Sequence, residues 1–321
     1  MALPSVRGLL GDGVSDRAFA PLMLIARACL AFEIALFGIR KFLHPENIAA
    51  VMSSHGIPGS LIWFVIPFQI SLGSLTLLGL ETRIASFALC GFCVIAPSIF
   101  HTNNLDDWAR DIASAGGWIV LAVFGPGQWS LDARLDLPGQ RILEPHSASA
   151  NHLRIGLLVA RLFIAVYFIA CGLRDFSLTG PMAGFLHDSS IVLAIATLQV
   201  TLGLMILLGW HVQIATVVLA AYMLTLAWSV HSPATALGLF QPNESLEVFA
   251  RGMFKGMGGA IGSYGKDIAV LGALLALLAN GAGPLSLDAR LRSRGKYKAF
   301  QRVSAQTNWR SGRDSNPRPP A

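Results

Sequence analysis

Long apolar runs separated by short polar stretches dominate the chain. A helix needs about 20 apolar residues to cross the hydrocarbon core of a bilayer, and six runs come close to that length. Two others are shorter, and they span only if they tilt, thin the bilayer or take in flanking residues such as Trp108. The pattern predicts eight membrane helices, at 21–42, 61–80, 84–100, 112–124, 155–173, 191–210, 212–230 and 268–280.

The polar segments between the runs repeat. GPGQWSLDARL at 125–135 returns as GAGPLSLDARL at 281–291, and eight of the eleven positions are identical. Self-similarity over such a distance indicates a tandem duplication. The landmarks that fall into register between the halves include Arg27 with Arg161, Gln69 with Gln199, His101 with His231, and Asp111-Ile112-Ala113 with Asp267-Ile268-Ala269.

These landmarks divide the chain into two homologous four-helix units at 18–137 and 152–293. We predict a linker at 138–151, an extra loop at 232–265 in the second unit, an N-terminal tail at 1–17 and a disordered basic tail at 294–321. Because four is even, both units enter and leave on the same side of the membrane, as parallel repeats do. The predicted fold is an all-α polytopic membrane protein, with eight transmembrane helices arranged as two parallel-repeat four-helix bundles.

Composition supports a membrane protein. The chain is 54% hydrophobic and only 13% charged, with a mean hydropathy of +0.58, whereas a soluble domain carries about 25% charged residues. The net charge of +6 arises largely in the C-terminal tail, and no basic patch alternates with aromatic residues, so we expect lipid and not nucleic acid as a partner. Lys and Arg in the tail also favour cytoplasmic termini in a bacterial inner membrane.

Two kinds of charged residue lie inside the first helix of a unit. Arg27 and Arg161 stand at equal depth, where an Arg contacts either an anion or quinone headgroup, or lipid phosphates at the interface. Glu33 lies near the middle of its helix, and Tyr167 is its counterpart in the second unit. An ionised carboxylate is costly there, so Glu33 is protonated or paired with another helix. It serves as either a proton or quinol relay or a buried structural hydrogen bond.

Glutamine and histidine recur at matching places in both units. Gln69 and Gln199 lie inside the second helix of each unit, where an amide cross-links helices by hydrogen bonds. His101 and His231 close the third helix at the outer side, where an imidazole exchanges protons near neutral pH or simply lies at the interface. Two histidines in separate units do not make a ligand set, so no metal site is expected.

The motifs together resemble a known family. An Arg begins the first helix, GIRKF ends it, a Gly-rich second helix ends in LLG, a His closes the third helix, and SLDARL follows the fourth. This pattern resembles the DoxX/DoxD family of small four-helix membrane proteins, some of which are subunits associated with terminal quinol oxidase or thiosulfate:quinone oxidoreductase activity. The family often carries a carboxylate where this chain has Gln69 and Gln199. The resemblance leaves open whether the chain is itself an enzyme.

The resemblance implies an integral subunit or accessory of a membrane oxidoreductase system near the quinone pool, with a redox protein as partner. No ligand set for haem or an iron–sulfur cluster is apparent, so a redox cofactor would be quinone or belong to the partner. The alternative is a non-catalytic membrane scaffold or a small-solute permease. The expected site has Glu33 and Arg27 as charge or proton handlers, with quinone or anion contacts from Gln69, His101, Arg161, Gln199 and His231.

Overall fold

The computed structural model of the chain describes residues 16–101, 104–135, 150–178, 188–229 and 260–293. The described residues form helices and connecting turns, with no β-strand among them. These ranges leave out nearly all of the predicted linker and of both tails. They also leave out most of the extra loop, and His231. The long helices are α1 (Asp16–Leu43), α3 (Ile62–Leu78), α4 (Thr82–Phe100), α5 (Leu105–Phe124), α7 (Ala150–Asp175), α8 (Ser189–Leu208), α9 (Val212–Ser229) and α10 (Ala260–Asn280).

Shorter elements connect the long helices. Helix α2 (Pro45–Ser54) follows α1, and a 3-10 turn (Gly59–Leu61) leads into α3. Helix α6 (Asp132–Leu135) lies in the first SLDARL motif, and α11 (287–293) lies in the second. The hydropathy pattern did not predict α2, although its apolar residues Ile48, Val51 and Met52 recur at helical spacing behind Pro45.

The all-α polytopic fold is confirmed. Within the described ranges, six helices are long and apolar enough to cross a membrane, and they match six of the predicted runs. The other two long helices, α5 and α10, contain 20 and 21 residues, and charged residues lie in the N-terminal half of each. Residues that precede the predicted apolar runs therefore complete these two helices. Residues 105–111 and 260–267, which the hydropathy pattern left outside the spans, are helical. The total of eight spans remains a prediction.

The second and third helices of each half form a tight hairpin. Helices α3 and α8 both end at a left-handed glycine, Gly79 with φ 70 and Gly209 with φ 72, which is a common way to close a helix. Glu81 and His211 then adopt φ 47 and φ 46, which is unusual for residues with a side chain. The same turn therefore occurs in both halves.

The SLDARL motif supports that turn. The carboxylate of Asp132 accepts hydrogen bonds from the backbone N–H groups of Glu81 and Thr82 at 2.7 and 3.0 Å. In the second half, Asp288 accepts one from the N–H of His211 at 3.1 Å. Each motif thus ties the end of the fourth helix to the hairpin of its own half, and its aspartate caps the third helix.

The two halves interlock. Helix α1 packs along α10, α7 packs along α5, and α5 and α10 contact each other between them. Small residues make this possible, because a Cβ added to Gly116 would lie 2.9 Å from the Ala160 carbonyl oxygen, and one added to Gly272 would lie 2.8 Å from that of Ala26. The fourth helix of each half therefore belongs to the core of both bundles, which the sequence did not indicate.

Candidate functional site

A cavity of about 380 Å³ lies in the first half, at the end of α1 that is remote from the SLDARL motif. Its walls are mostly apolar, and α2 covers it through Met52, which packs against Ile62 and Ile66. A small-molecule site in a protein has this size and an apolar lining with a few polar groups. The apolar lining comes chiefly from Ile34, Phe37, Val51, Val65, Phe92 and Phe100.

Two buried polar side chains face this cavity. Glu33 from α1 is 3% exposed, and Gln69 from α3 is 2% exposed. Glu33 forms a side-chain hydrogen bond with Ser114 of α5, but its Oε2 has no hydrogen-bond partner among the described residues. The Oε1 of Gln69 also lacks one there. A buried acceptor without a partner loses about 1–3 kcal/mol, so both atoms favour a ligand that donates hydrogen bonds.

A cluster of charged groups closes the polar end of the cavity. The Lys266 ammonium lies 3.0 Å from Asp111 Oδ2 and 3.5 Å from Asp107 Oδ1. His101 Nδ1 lies 3.9 Å from Asp107 Oδ2 and 4.0 Å from Asp111 Oδ2. Lys266 is on α10, so the second half of the chain completes a site whose other walls belong to the first. Among the described residues, no group of three or more His, Cys, Asp and Glu side chains is placed to hold a metal ion.

The environment of His101 sets its charge. Burial lowers the pKa of this imidazole below its usual 6.5, and Lys266 lowers it further, against the opposing effect of Asp111 and Asp107. His101 is therefore neutral at pH 7, and it can accept a proton at the end of the cavity where α4 meets α5.

The structure brings together three of the residues predicted to form the site. Glu33, Gln69 and His101 all line the same cavity. Arg27 is not among the lining residues, because it lies six residues earlier on α1, about 9 Å along the helix axis. The expected grouping of Arg27 with Glu33 is thus corrected.

Both arginines of the first helices bind the protein itself. The Arg27 guanidinium donates hydrogen bonds to the carbonyl oxygens of Pro126 and Trp129 at 3.0 and 2.9 Å. Arg161 donates to the carbonyl oxygen of Leu285 at 2.7 Å. Each arginine therefore holds the SLDARL segment against the first helix, and a role in charge handling stays a prediction without a contact to support it.

In the second half, larger side chains stand at two of the corresponding positions. Tyr167, at the position of Glu33, is 3% exposed and packs edge-on against Phe168, with 4.9 Å between the ring centroids. Its hydroxyl lies 4.0 Å from the sulfur of Met223, which stands where the first half has the smaller Cys93. The second half thus has larger side chains than the first half at these two positions.

Polar groups of the second half pair with Arg110 of the first half and with one another. Arg110 Nε lies 3.4 Å from Asp267 Oδ1, and Arg110 is also hydrogen-bonded to the Tyr167 hydroxyl. Gln199 donates a hydrogen bond from Nε2 to the Tyr222 hydroxyl at 2.6 Å. The predicted contact residue Gln199 is therefore engaged with a neighbouring helix, whereas its counterpart Gln69 faces a cavity.

Asp111 and Lys266 were not predicted as site residues. Asp111 opens the Asp-Ile-Ala triplet that recurs in the second half, and Lys266 immediately precedes the second copy. That recurrence was a usable signal. The hydropathy pattern assigned both charged residues to loops, so it did not indicate a role for them in the site. The structure places Asp111 inside α5 and Lys266 inside α10.

Part of the first half matches a known protein family. Residues 22–102 match the family model for DoxX. These residues are a DoxX domain. It contributes every wall of the cavity except the parts formed by α5 and α10. The resemblance to the DoxX family is thereby confirmed.

Two proteins of Escherichia coli (strain K12) are similar to part of the chain. Inner membrane protein YqjF is 26% identical over 119 residues, which are 36% of this chain and 92% of that protein. Inner membrane protein YphA is 27% identical over 125 residues, which are 35% of this chain and 89% of that protein. No solved structure matches the chain.

Proposed function

We propose that the chain is an integral subunit or accessory of a membrane oxidoreductase system near the quinone pool, and that its cavity holds the ring of a quinol. One observation carries this proposal: Glu33 Oε2 and Gln69 Oε1 are buried acceptors without described partners on an otherwise apolar cavity. The similar proteins YqjF and YphA, which are named as inner membrane proteins, support placement in a bacterial inner membrane.

The residues of the cavity fit such a ligand. A quinol has an apolar ring with hydroxyl donors on opposite sides, and the site combines apolar walls with two free acceptors. When bound, a quinol supplies electrons and protons to a redox partner. The rest of the proposal concerns only what this chain does with the ring and with protons.

Each polar residue has a separate role in the proposal. Gln69 orients the ring by accepting a hydrogen bond, and Glu33 holds a proton near Ser114. Lys266 pairs with Asp111 at 3.0 Å. His101, neutral at pH 7 and 4.0 Å from Asp111, takes the proton onward through one bridging water.

The proposal also includes the arrangement in the membrane. We propose that α5 and α10 complete eight spans, that the halves arose by tandem duplication, and that both termini are cytoplasmic. Two pairs of residues make equivalent contacts in the two halves, which supports a duplication. Arg27 corresponds in this way to Arg161, and Asp132 corresponds to Asp288. In that orientation the SLDARL motifs lie on the cytoplasmic side, and the cavity lies towards the outer side.

Mild-detergent purification of the tagged chain from native membranes tests the function. Mass spectrometry and lipid extraction of what stays bound are expected to find a redox protein in stoichiometric amount, or a retained quinone. Glu33→Gln is expected to lower quinol-dependent turnover about a hundredfold without loss of insertion, since it removes the proton acceptor. Tyr167→Phe, in the other half, is the matched control and is expected to keep turnover.

The same purification decides against the proposal if the protein is free of both partner and quinone. The alternative would then be a non-catalytic scaffold or a small-solute permease. Solute flux into proteoliposomes that contain no redox partner would identify the permease. Full turnover of the Glu33→Gln variant would remove Glu33 from the mechanism.

A further inference from the structure

Two cations line the mouth of the same cavity. Arg40 and Lys41 lie at the C-terminal end of α1, and both are half-buried. The Lys41 ammonium lies 3.5 Å from the carbonyl oxygen of Phe37 and 5.4 Å from the centre of its ring. Neither cation forms an ion pair with a carboxylate of the described residues.

The nearby carboxylates are engaged elsewhere. Asp107 and Asp111 both face Lys266, at 3.5 and 3.0 Å. Glu46 of α2 lies 3.8 Å from His44. Two adjacent positive charges thus stand at an opening with apolar walls. No carboxylate of the described residues lies within ion-pair distance of either cation, although Asp111 and Glu33 attract Lys41 from further away.

The second half does not have this arrangement. Its equivalent residues are Arg174 and Asp175, so the pair carries one charge of each sign. Arg174 also forms an ion pair with Asp106 of the first half. Asp175 is 1% exposed and hydrogen-bonded to Gln199. The second half therefore neutralises its charges within the protein, and the first half leaves two cations available.

We propose that Arg40 and Lys41 bind the phosphate of an anionic phospholipid at the mouth of the cavity. Beside them, Ile39 and Phe42 are 43% and 59% exposed, which provides an apolar surface for the acyl chains outside the cavity. Basic pockets between membrane helices bind anionic lipid headgroups in this manner. This lipid and a quinol ring at Glu33 occupy different places, so the inference does not depend on the proposed function.

Lipid binding to the purified full-length chain tests the inference. The probes are dioleoyl phosphatidylglycerol, dioleoyl phosphatidylcholine and inorganic phosphate, and the readout is native mass spectrometry. We expect a preference for phosphatidylglycerol over phosphatidylcholine. Arg40→Gln and Lys41→Gln are each expected to weaken that preference roughly fivefold. Lys41→Arg is expected to keep it, and so is Arg174→Gln, the matched control in the second half.

Three results would overturn the inference. The first is an unchanged lipid preference in both single variants. The second is an equal loss in Arg174→Gln. The third is displacement of phosphatidylglycerol by inorganic phosphate at a similar concentration, which would indicate a site for free anions. Quinone retention in the same preparations reports on Glu33 separately, so failure of one proposal does not imply failure of the other.

A measurement on the unmodified chain covers the case in which a variant does not fold. Acetylation of Lys41, followed by peptide mass spectrometry, is expected to be several-fold slower with phosphatidylglycerol than with phosphatidylcholine. The same rate in both lipids would contradict lipid binding at this residue.

Discussion

At the SLDARL end of the molecule, the two halves make the same contacts. Arg27 and Arg161 bind carbonyl groups of the motif, and Asp132 and Asp288 cap the third helix of their own half. At the opposite end, a glutamate in one half corresponds to a tyrosine in the other. Contacts that both halves share maintain the fold, whereas the positions where they differ mark the candidate site.

Residues of the same type also have different surroundings in the two halves. Gln69 faces a cavity, and Gln199 donates from Nε2 to Tyr222, although the Oε1 atoms of both lack a hydrogen-bond partner among the described residues. Arg40 lines the cavity mouth, and Arg174 pairs with Asp106. A residue shared by sequence register can thus have a binding role in one half and a structural role in the other.

The largest expected effect comes from breaking the buried charge cluster between the halves. Lys266→Met leaves Asp111 without the ammonium 3.0 Å away, and removal of one partner from a buried pair costs about 3–5 kcal/mol. Unfolding by SDS titration in mild detergent measures the change. The double variant Lys266→Met/Asp111→Leu is expected to recover most of the loss, and a single variant as stable as the wild type would contradict the cluster's role.

Close helix contact at the shared centre should be equally sensitive in both halves. Gly116→Ala and Gly272→Ala each place a Cβ within 3 Å of a backbone oxygen, at 2.9 and 2.8 Å, so overpacking is expected to lower stability by about 1–3 kcal/mol. Gly91→Ala is the control, because nothing lies within 4 Å of its added Cβ. A strong effect in only one of the two halves would show that the halves are not packed equivalently.

Loss of the SLDARL cap should destabilise both halves, by unequal amounts. Asp132→Asn is expected to cost about 1–2 kcal/mol, since it weakens hydrogen bonds at 2.7 and 3.0 Å. Asp288→Asn should cost less, because its contact with His211 is 3.1 Å long and less buried. Thermal unfolding measures both, with the exposed Arg134→Gln as control. Equal melting temperatures for Asp132→Asn and Arg134→Gln would contradict the cap.

The smallest expected effect is a pH dependence that arises from His101 in the first half. The pKa of His101 is lowered in the folded protein, so the unfolded chain takes up a proton first as the pH falls below about 6.5. Stability is therefore expected to decrease from pH 7 towards lower pH. His101→Asn should flatten this part of the melting-temperature profile. An identical profile in wild type and variant would exclude His101 as the cause.

Hydropathy was sufficient to predict most of the fold and failed where charge enters a helix. Six spans were located within a few residues, because an apolar run of sufficient length has few alternatives to a membrane helix. Helices α5 and α10 begin earlier than predicted, because their charged N-terminal turns are paired inside the protein. Pairing between distant residues is not visible in a local pattern.

The candidate site was predicted in part for the same reason. Glu33, Gln69 and His101 were recognised as polar residues in apolar surroundings, and they do line one cavity. Arg27 satisfied the same criterion but binds Pro126 and Trp129, a contact formed only after the chain folds back from residue 126. Lys266 enters the site from the other half, which required knowledge of how the halves interlock.

Binding of a short-chain quinol analogue to the purified Glu33→Tyr variant tests the central claim most directly. The substitution gives the first half the residue that the second half has, which removes an acceptor and fills the cavity. Equilibrium dialysis is expected to show binding at least about tenfold weaker than wild type, corresponding to about 1.4 kcal/mol, while Tyr167→Phe binds as wild type does. Unchanged binding by Glu33→Tyr would mean that the cavity is not the quinol site.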